Sequence, residues 1–182
     1  MENYSVLMSV YYKEQAENLR EAIDSILNQT VKTNEFIIVK DGPLTEKLDN
    51  TIKEYVEEYP GVFKIITLEK NMGLAKALNK GIEQCSNEII ARMDSDDISM
   101  PDRMERQLEA MEANRADILS GTIVEFDESV DKPTAKRELP EKNEQIIEFA
   151  KKRSPFNHPA VMYKKSSVLK SGLYEDYTYI ED

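Results

Sequence analysis

Four short apolar runs recur along the first half of the chain, each followed by a stretch with helical periodicity. This alternation constrains the fold more than any other feature. Ser5–Val10, Glu35–Lys40 ("EFIIVK"), Phe63–Leu68 ("FKIITL") and Glu88–Met93 ("EIIARM") read as strands. They are apolar at successive positions rather than at alternate ones, as expected of strands covered on both faces. Between them, Glu17–Gln29 places Leu19, Ile23, Ile26 and Leu27 on one helical face. A second helix, with Thr45 as its cap, does the same with Leu48, Ile52, Tyr55 and Val56. Gly73–Cys85 sets Leu74, Leu78 and Ile82 in register, and a fourth helix opening at Pro101 carries Met104, Leu108 and Met111. The order βαβαβαβα predicts an α/β fold: a Rossmann-like, mainly parallel central sheet with helices on both faces and right-handed crossovers.

The second half is less regular. Asp117–Phe126 alternates like a strand, and Asp127–Asn143 is polar, contains proline and reads as an exposed loop. Ile146–Lys151 is helical, His158–Tyr163 reads as a strand, and a short helix ends at Gly172. At 182 residues the chain fits one domain. No apolar run approaches the roughly 20 residues a membrane-spanning helix needs, and the N-terminus has no basic segment of the signal-peptide kind. The single cysteine, Cys85, reads as a small core residue and rules out an internal disulfide, which suits a reducing, cytoplasmic setting. A net charge of −11 argues against nucleic acid held on a basic surface, but not against a nucleotide whose phosphates a metal neutralises.

In such sheets ligands gather at the carboxyl ends of the strands. Three polar segments lie there: Ser9–Glu14 after the first strand, Asp41 after the second, and Asp94-Ser95-Asp96-Asp97 after the fourth. Three carboxylates within four residues repel one another by about 1 kcal/mol per pair even in water, so a compensating charge is expected. Asp94 and Asp96 form a D-x-D whose hard oxygens suit Mg2+ or Mn2+, with a diphosphate and water completing the shell. One His and one Cys exclude a zinc cage, and neither a P-loop nor a dinucleotide-binding glycine motif is present.

The motifs, taken in order, are "SVLMSVYYKEQAENLREAIDSILNQT", "FIIVKDG", "NMGLAKALNKGI", "IIARMDSDDISMPDRMERQ", "FNHPAVMYKKSSVL" and the closing "ED". In that order and spacing the chain resembles family 2 inverting glycosyltransferases with the GT-A fold, over essentially its whole length. The resemblance implies one domain over 1–182, with a nucleotide-binding half (1–100) and an acceptor-side half (101–182). It implies transfer of a sugar from a nucleotide sugar, most simply a UDP-sugar, to a saccharide or lipid-linked acceptor in surface or exopolysaccharide synthesis. Val10, Tyr11, Glu14 and Asp41 would contact the nucleotide, with Lys76 and the following helix N-terminus toward its phosphates. Asp94 and Ser95 would face the ribose, and Asp96, with Asp94, the metal. Asp182 would be the general base, while Glu181 and His158 would face acceptor or donor sugar. Arg103 would pack or pair near the acidic loop.

The chain departs from the family at Ser9-Val10-Tyr11-Tyr12, where Pro-Val-Tyr-Asn is usual, and at Lys40-Asp41-Gly42-Pro43, where Asp-Asp-Gly-Ser is usual. Family members also continue past "ED". The chain is therefore expected to be a fragment that binds nucleotide but transfers sugar poorly, and whose missing residues would place it at the inner membrane face. Two other readings are a haloacid-dehalogenase-like phosphatase using the D-x-D and a non-catalytic nucleotide-binding or interaction module.

Overall fold

A computed structural model describes residues 2–127 and 130–175. Its elements run β1 (Tyr4–Val10), α1 (Ala16–Leu27), β2 (Glu35–Lys40), α2 (Glu46–Glu58), β3 (Phe63–Thr67), α3 (Leu74–Gln84), β4 (Ile89–Met93) and α4 (Arg103–Asn114). They continue with β5 (Ile118–Ser120), β6 (Ile123–Phe126), β7 (Pro133–Arg137), α5 (Asn143–Ala150), a 3-10 turn (His158–Ala160), β8 (Val161–Lys164) and α6 (Lys165–Ser171). The six-stranded sheet has the order β3-β2-β1-β4-β8-β5. The first four strands are mutually parallel, while β8 runs antiparallel to both β4 and β5. The mainly parallel sheet expected from the alternation is therefore present.

The doubly apolar strands are explained by two cores. Val6, Met8, Phe36, Ile38, Ala91 and Met93 point to one face, under Leu19 and Ile23 of α1, Leu48 and Ile52 of α2 and Met104 and Leu108 of α4. The alternate residues Leu7, Ile37, Val39 and Ile90 point to the other, under Ala77, Leu78 and Ile82 of α3. Each fully buried aliphatic side chain contributes about 1.5–3 kcal/mol, and a one-residue slip of β1 would exchange its two sets. Gly81 lets α3 sit close on the sheet: a Cβ there would fall 2.1 Å from Leu7 Cδ1. Cys85 is buried, as read, and burial pushes its thiol up to about 12. Thr45 caps α2 through a bond accepted from the Leu48 amide. Among the described residues no helix is long and apolar enough to cross a membrane.

Four local expectations are corrected. The strand expected over 117–126 is broken at Gly121: β5 stays in the main sheet, and β6 leaves it to pair with β7 in a separate hairpin. That hairpin occupies part of the expected loop. β7 is almost wholly exposed and is held by backbone pairing, so side-chain periodicity carries no trace of it. Its root is fixed by the buried Asn157, whose Nδ2 donates to the carbonyls of Gly121 and Arg137 at 2.9 and 3.1 Å. Pro101 sits in a turn ahead of α4 rather than in its first turn, and Asp102 is the cap residue. His158 lies in a 3-10 turn with Pro159, not in the strand, which starts at Val161. Because β8 is antiparallel, this turn meets the sheet at the carboxyl edge of β4.

Candidate functional site

After β1 the chain exposes Tyr11 and Tyr12, whose rings meet edge to face at 5.9 Å. Val10, the last residue of β1, is buried and packs in the core. Glu14 then joins two loops. Its Oε1 accepts from the Gln15 amide at 2.7 Å and from Asn18 Nδ2 at 3.3 Å, a favourable place for a carboxylate at the start of α1. Its Oε2 accepts from Ser95 Oγ at 2.6 Å. Ser95 is buried, so this bond binds the segment after β1 to the acidic loop after β4.

After β2, Asp41 is buried and stitched to the start of α3. Its two carboxylate oxygens accept from the Met72 amide at 2.7 Å and the Gly73 amide at 3.1 Å. A carboxylate has about four acceptor directions, so two remain. Gly42 makes this approach possible: φ is +89°, and a Cβ would lie 2.5 Å from the Asn71 nitrogen. Gly73, the cap residue of α3, also has positive φ. The amides just ahead of α3 are therefore held by Asp41 rather than left for phosphate, and the first turn of the helix, which carries the exposed Lys76, follows them. Lys40, at the end of β2, pairs with Asp49 of α2 at 2.5 Å, so its charge is turned toward that helix.

The acidic loop receives internal compensation that sequence reasoning missed. Arg92, on β4, is buried, and its two Nη groups donate to both carboxylate oxygens of Asp94, two residues on. A bidentate guanidinium–carboxylate pair is among the stronger polar contacts. Arg103 is the second cation, partly buried, as expected near this loop. It donates to the Arg92 carbonyl at 2.8 Å and to Gln107 at 3.0 Å, and burial lowers it to about 10. The far end of the loop is tied down by the buried Gln29, which donates to the Met100 carbonyl and accepts from the Met104 amide. The one sequence signal for Arg92 is a charged residue inside an otherwise apolar strand, two positions before a carboxylate.

Asp96 is exposed at the turn of the loop. Partial burial, then the like charges of Glu14 and Asp94, raise its carboxyl above the usual range. Among the described residues no three His, Cys, Asp or Glu side chains converge as a ready metal cage. An ion there would need oxygens from a ligand. Asp96 fits that arrangement: its oxygens are hard, and a cation would relieve the repulsion around it. Asp94, engaged by Arg92, is held in a fixed orientation beside it.

Asp97 is less exposed. Burial, then Asp94 and Asp96, push its carboxyl up to about 6 against the pull of Arg92 and Arg103. An acid whose pKa is raised on folding holds its proton more tightly when folded. Its destabilising contribution is therefore present above about pH 6 and is relieved as pH falls toward 3.8, its ordinary value. On the order of 2 kcal/mol is involved. Asp97→Asn is expected to raise the melting temperature of metal-free protein by about 4–8 °C at neutral pH, with the difference closing at acid pH. An equal difference at both pH values would contradict this.

His158 is buried at the same edge, with Nε2 3.0 Å from the Tyr174 hydroxyl. Its turn packs on β4. Glu181 and Asp182 lie outside the described residues. The structure thus brings Glu14, Ser95, Asp94 and Asp96 into one cluster, sets Asp41 and Lys76 beside it through α3, and places His158 on the β8 side. Two shallow cavities, of about 480 and 360 Å3, lie instead along α5 and the 138–142 segment. The candidate site is marked by the charge cluster, not by concavity.

A sequence profile described as Glycosyl transferase family 2 matches residues 5–178. The chain is 43% identical over 180 residues to the amylovoran biosynthesis glycosyltransferase AmsE of Erwinia amylovora, covering 98% of this chain and 66% of that one. It is 41% identical over 181 residues to the UDP-Gal:alpha-D-GlcNAc-diphosphoundecaprenol beta-1,3-galactosyltransferase of Escherichia coli, covering 96% and 65%. The chain therefore spans just under two thirds of the length of these curated relatives. Among solved structures, the mannosyltransferase PcManGT from Pyrobaculum calidifontis, in complex with GDP-Man and Mn2+, is similar with a TM-score of 0.72 at 14% identity. The match covers all of this chain and 50% of that one. S. aureus TarS is similar with a TM-score of 0.70 at 18% identity, covering 95% and 30%. At such identities these likenesses show the shared GT-A fold alone. The profile match and the relatives above 40% identity carry the rest: the chain belongs to glycosyl transferase family 2.

Proposed function

We propose that this chain is the donor-binding part of a metal-dependent, inverting glycosyltransferase that uses a UDP-sugar and a saccharide or lipid-linked acceptor in surface polysaccharide synthesis. The observation that carries the reading is the Glu14–Ser95 hydrogen bond of 2.6 Å, which joins the loops after β1 and β4 into one acidic rim beside Asp41 and α3. In this reading the exposed Tyr11 ring, next to Val10, stacks on the base. The remaining acceptor directions of Asp41 take the uracil imide N–H, pairing acceptor with donor. Asp94, fixed by Arg92, accepts from a ribose hydroxyl, with Ser95 and Glu14 behind it. Lys76 and the first turn of α3 favour the diphosphate. Asp96 holds the Mg2+ or Mn2+. When bound, such an ion supplies positive charge to the leaving diphosphate. Asp182 takes the acceptor hydroxyl's proton as that oxygen attacks opposite the leaving nucleotide, which inverts the anomeric centre. His158 and Glu181 line the sugar side.

Several findings on other proteins support this reading. A curated relative is named for UDP-Gal and a diphosphoundecaprenol acceptor. TarS has been solved with UDP and with UDP-GlcNAc, and PcManGT with Mn2+. The lipid carrier in the relative's name also supports work at the cytoplasmic face of a membrane. The phosphatase reading needs Asp94 as a nucleophile, whereas its bidentate pair with Arg92 draws charge from both oxygens and leaves them weak nucleophiles that can still accept a hydrogen bond.

The test is thermal stability with UDP, with Mn2+ or Mg2+, and with both. A ligand at about 100 times its Kd adds roughly 2.7 kcal/mol, or about 5–11 °C for a chain of this size. UDP and metal together are expected to stabilise by more than the sum of the two alone. GDP in place of UDP is expected to give a smaller shift. Merely additive shifts would contradict the shared site.

A further inference from the structure

Asn79, on α3, makes a two-point bridge to the backbone of Tyr174. Its Nδ2 donates to the Tyr174 carbonyl at 2.8 Å, and its Oδ1 accepts from the Tyr174 amide at 2.9 Å. A side-chain amide, with a donor and an acceptor on one carbon, matches both backbone groups of one residue, whereas an ionised carboxylate, an acceptor only, would lose the bond to the carbonyl. The bridge spans 95 positions of sequence and closes α3 onto the segment after α6. It thereby fixes the tyrosine ring, whose hydroxyl lies 3.0 Å from His158 Nε2, with the two rings tilted at 53° and 5.2 Å apart. His158 is otherwise enclosed, 7% exposed, in the turn that packs on β4 at the ligand edge.

We propose that Asn79 and Tyr174 are positioning residues. The amide bridge holds the Tyr174 hydroxyl on Nε2, where the phenol, the stronger acid of the pair, donates to the ring nitrogen and so holds the imidazole in one orientation with its proton on Nδ1. The device links the helix beside the donor site to the residue that faces the sugar side. It rests on the transferase reading for what His158 faces, but not for the state of the ring. Tyr174 also stands eight residues before Asp182 in sequence, so the bridge fixes the last described stretch ahead of the proposed base.

His158 is the one histidine of the chain, so ring 15N NMR of tag-free protein reads it without assignment. At alkaline pH the parent protein is expected to show one dominant tautomer with well-separated Nδ1 and Nε2 shifts. In Tyr174→Phe, which keeps the ring and the backbone bridge, the two shifts are expected to converge as the tautomers mix. Asn79→Ala is expected to give the same convergence, and Asn79→Asp an intermediate result. Unchanged nitrogen shifts in folded Tyr174→Phe would overturn the proposal, as would an Asn79→Ala spectrum identical to the parent. Neither measurement uses nucleotide or metal. A failure of UDP binding would therefore count against the donor site, and unchanged His158 shifts against the bridge.

Discussion

Replacing Arg92 by methionine is expected to lower the melting temperature by roughly 5–15 °C. The guanidinium is 3% exposed, and both its Nη groups are spent on Asp94. Methionine fills a similar volume but leaves Asp94 unpaired beside Asp96 and Asp97, with the more distant Arg103 as the remaining internal counter-charge. Removing one partner of a buried pair costs about 3–5 kcal/mol. Two features reduce this to about 2–4 kcal/mol: Asp94 is 30% exposed, and Arg92 Nε is already buried without a partner. If the cost is the abandoned carboxylate rather than lost packing, neutralising Asp94 should restore stability. Arg92→Met/Asp94→Asn is therefore expected to recover at least half of the loss, a coupling that a double-mutant cycle reads directly. A double mutant no more stable than Arg92→Met would show that the arginine acts through packing alone.

Gly42→Ala is expected to be comparably damaging for a different reason. The residue sits at φ +89°, and its Cβ would fall 2.5 Å from the Asn71 nitrogen and 2.9 Å from the Lys70 carbonyl carbon. Both obstacles are backbone, so neither can swing aside. Positive-φ strain of about 1–3 kcal/mol adds to an overpacking cost of similar size. The two together lower the melting temperature by about 8–15 °C. Relief by moving the 70–73 segment would pull Met72 and Gly73 off Asp41, so their amides should exchange with deuterium faster than those of the β1–β2 ladder. Gly61→Ala is the control. Its φ is +85°, but nothing lies within 4 Å of the new Cβ, so it carries strain without collision. Equal destabilisation by the two substitutions would contradict the close-approach argument.

Much of this architecture is legible in the residues because burial on both faces leaves a plain mark. Val6, Leu7 and Met8 are all apolar because they feed two cores, and such runs between helical patterns imply a parallel sheet. The position of the candidate site follows from the same logic, since Glu14, Asp41 and Asp94 each stand just beyond a strand. Other features leave no such mark. β7 is polar and exposed, so its ladder with β6 exists only in backbone geometry. Arg92 reads as a lone charge in an apolar run, and its pairing with Asp94 depends on the strand ending between them. Asp41 reads as a turn residue or a base ligand, whereas its buried carboxylate also binds the chain ahead of α3. Asn79 and Tyr174 meet across 95 positions, beyond the reach of any local pattern.

The repulsion in the Asp94–Asp97 loop is met from within by Arg92 and Arg103, and in the proposed function also by a cation held at the exposed Asp96. The most direct measurement is anomalous scattering from crystals grown with UDP and Mn2+. The account predicts one strong peak roughly 2–2.5 Å from an Asp96 oxygen, bridging to the diphosphate beside Ser95 and Lys76. A diphosphate with its manganese bound away from Asp96 would contradict it.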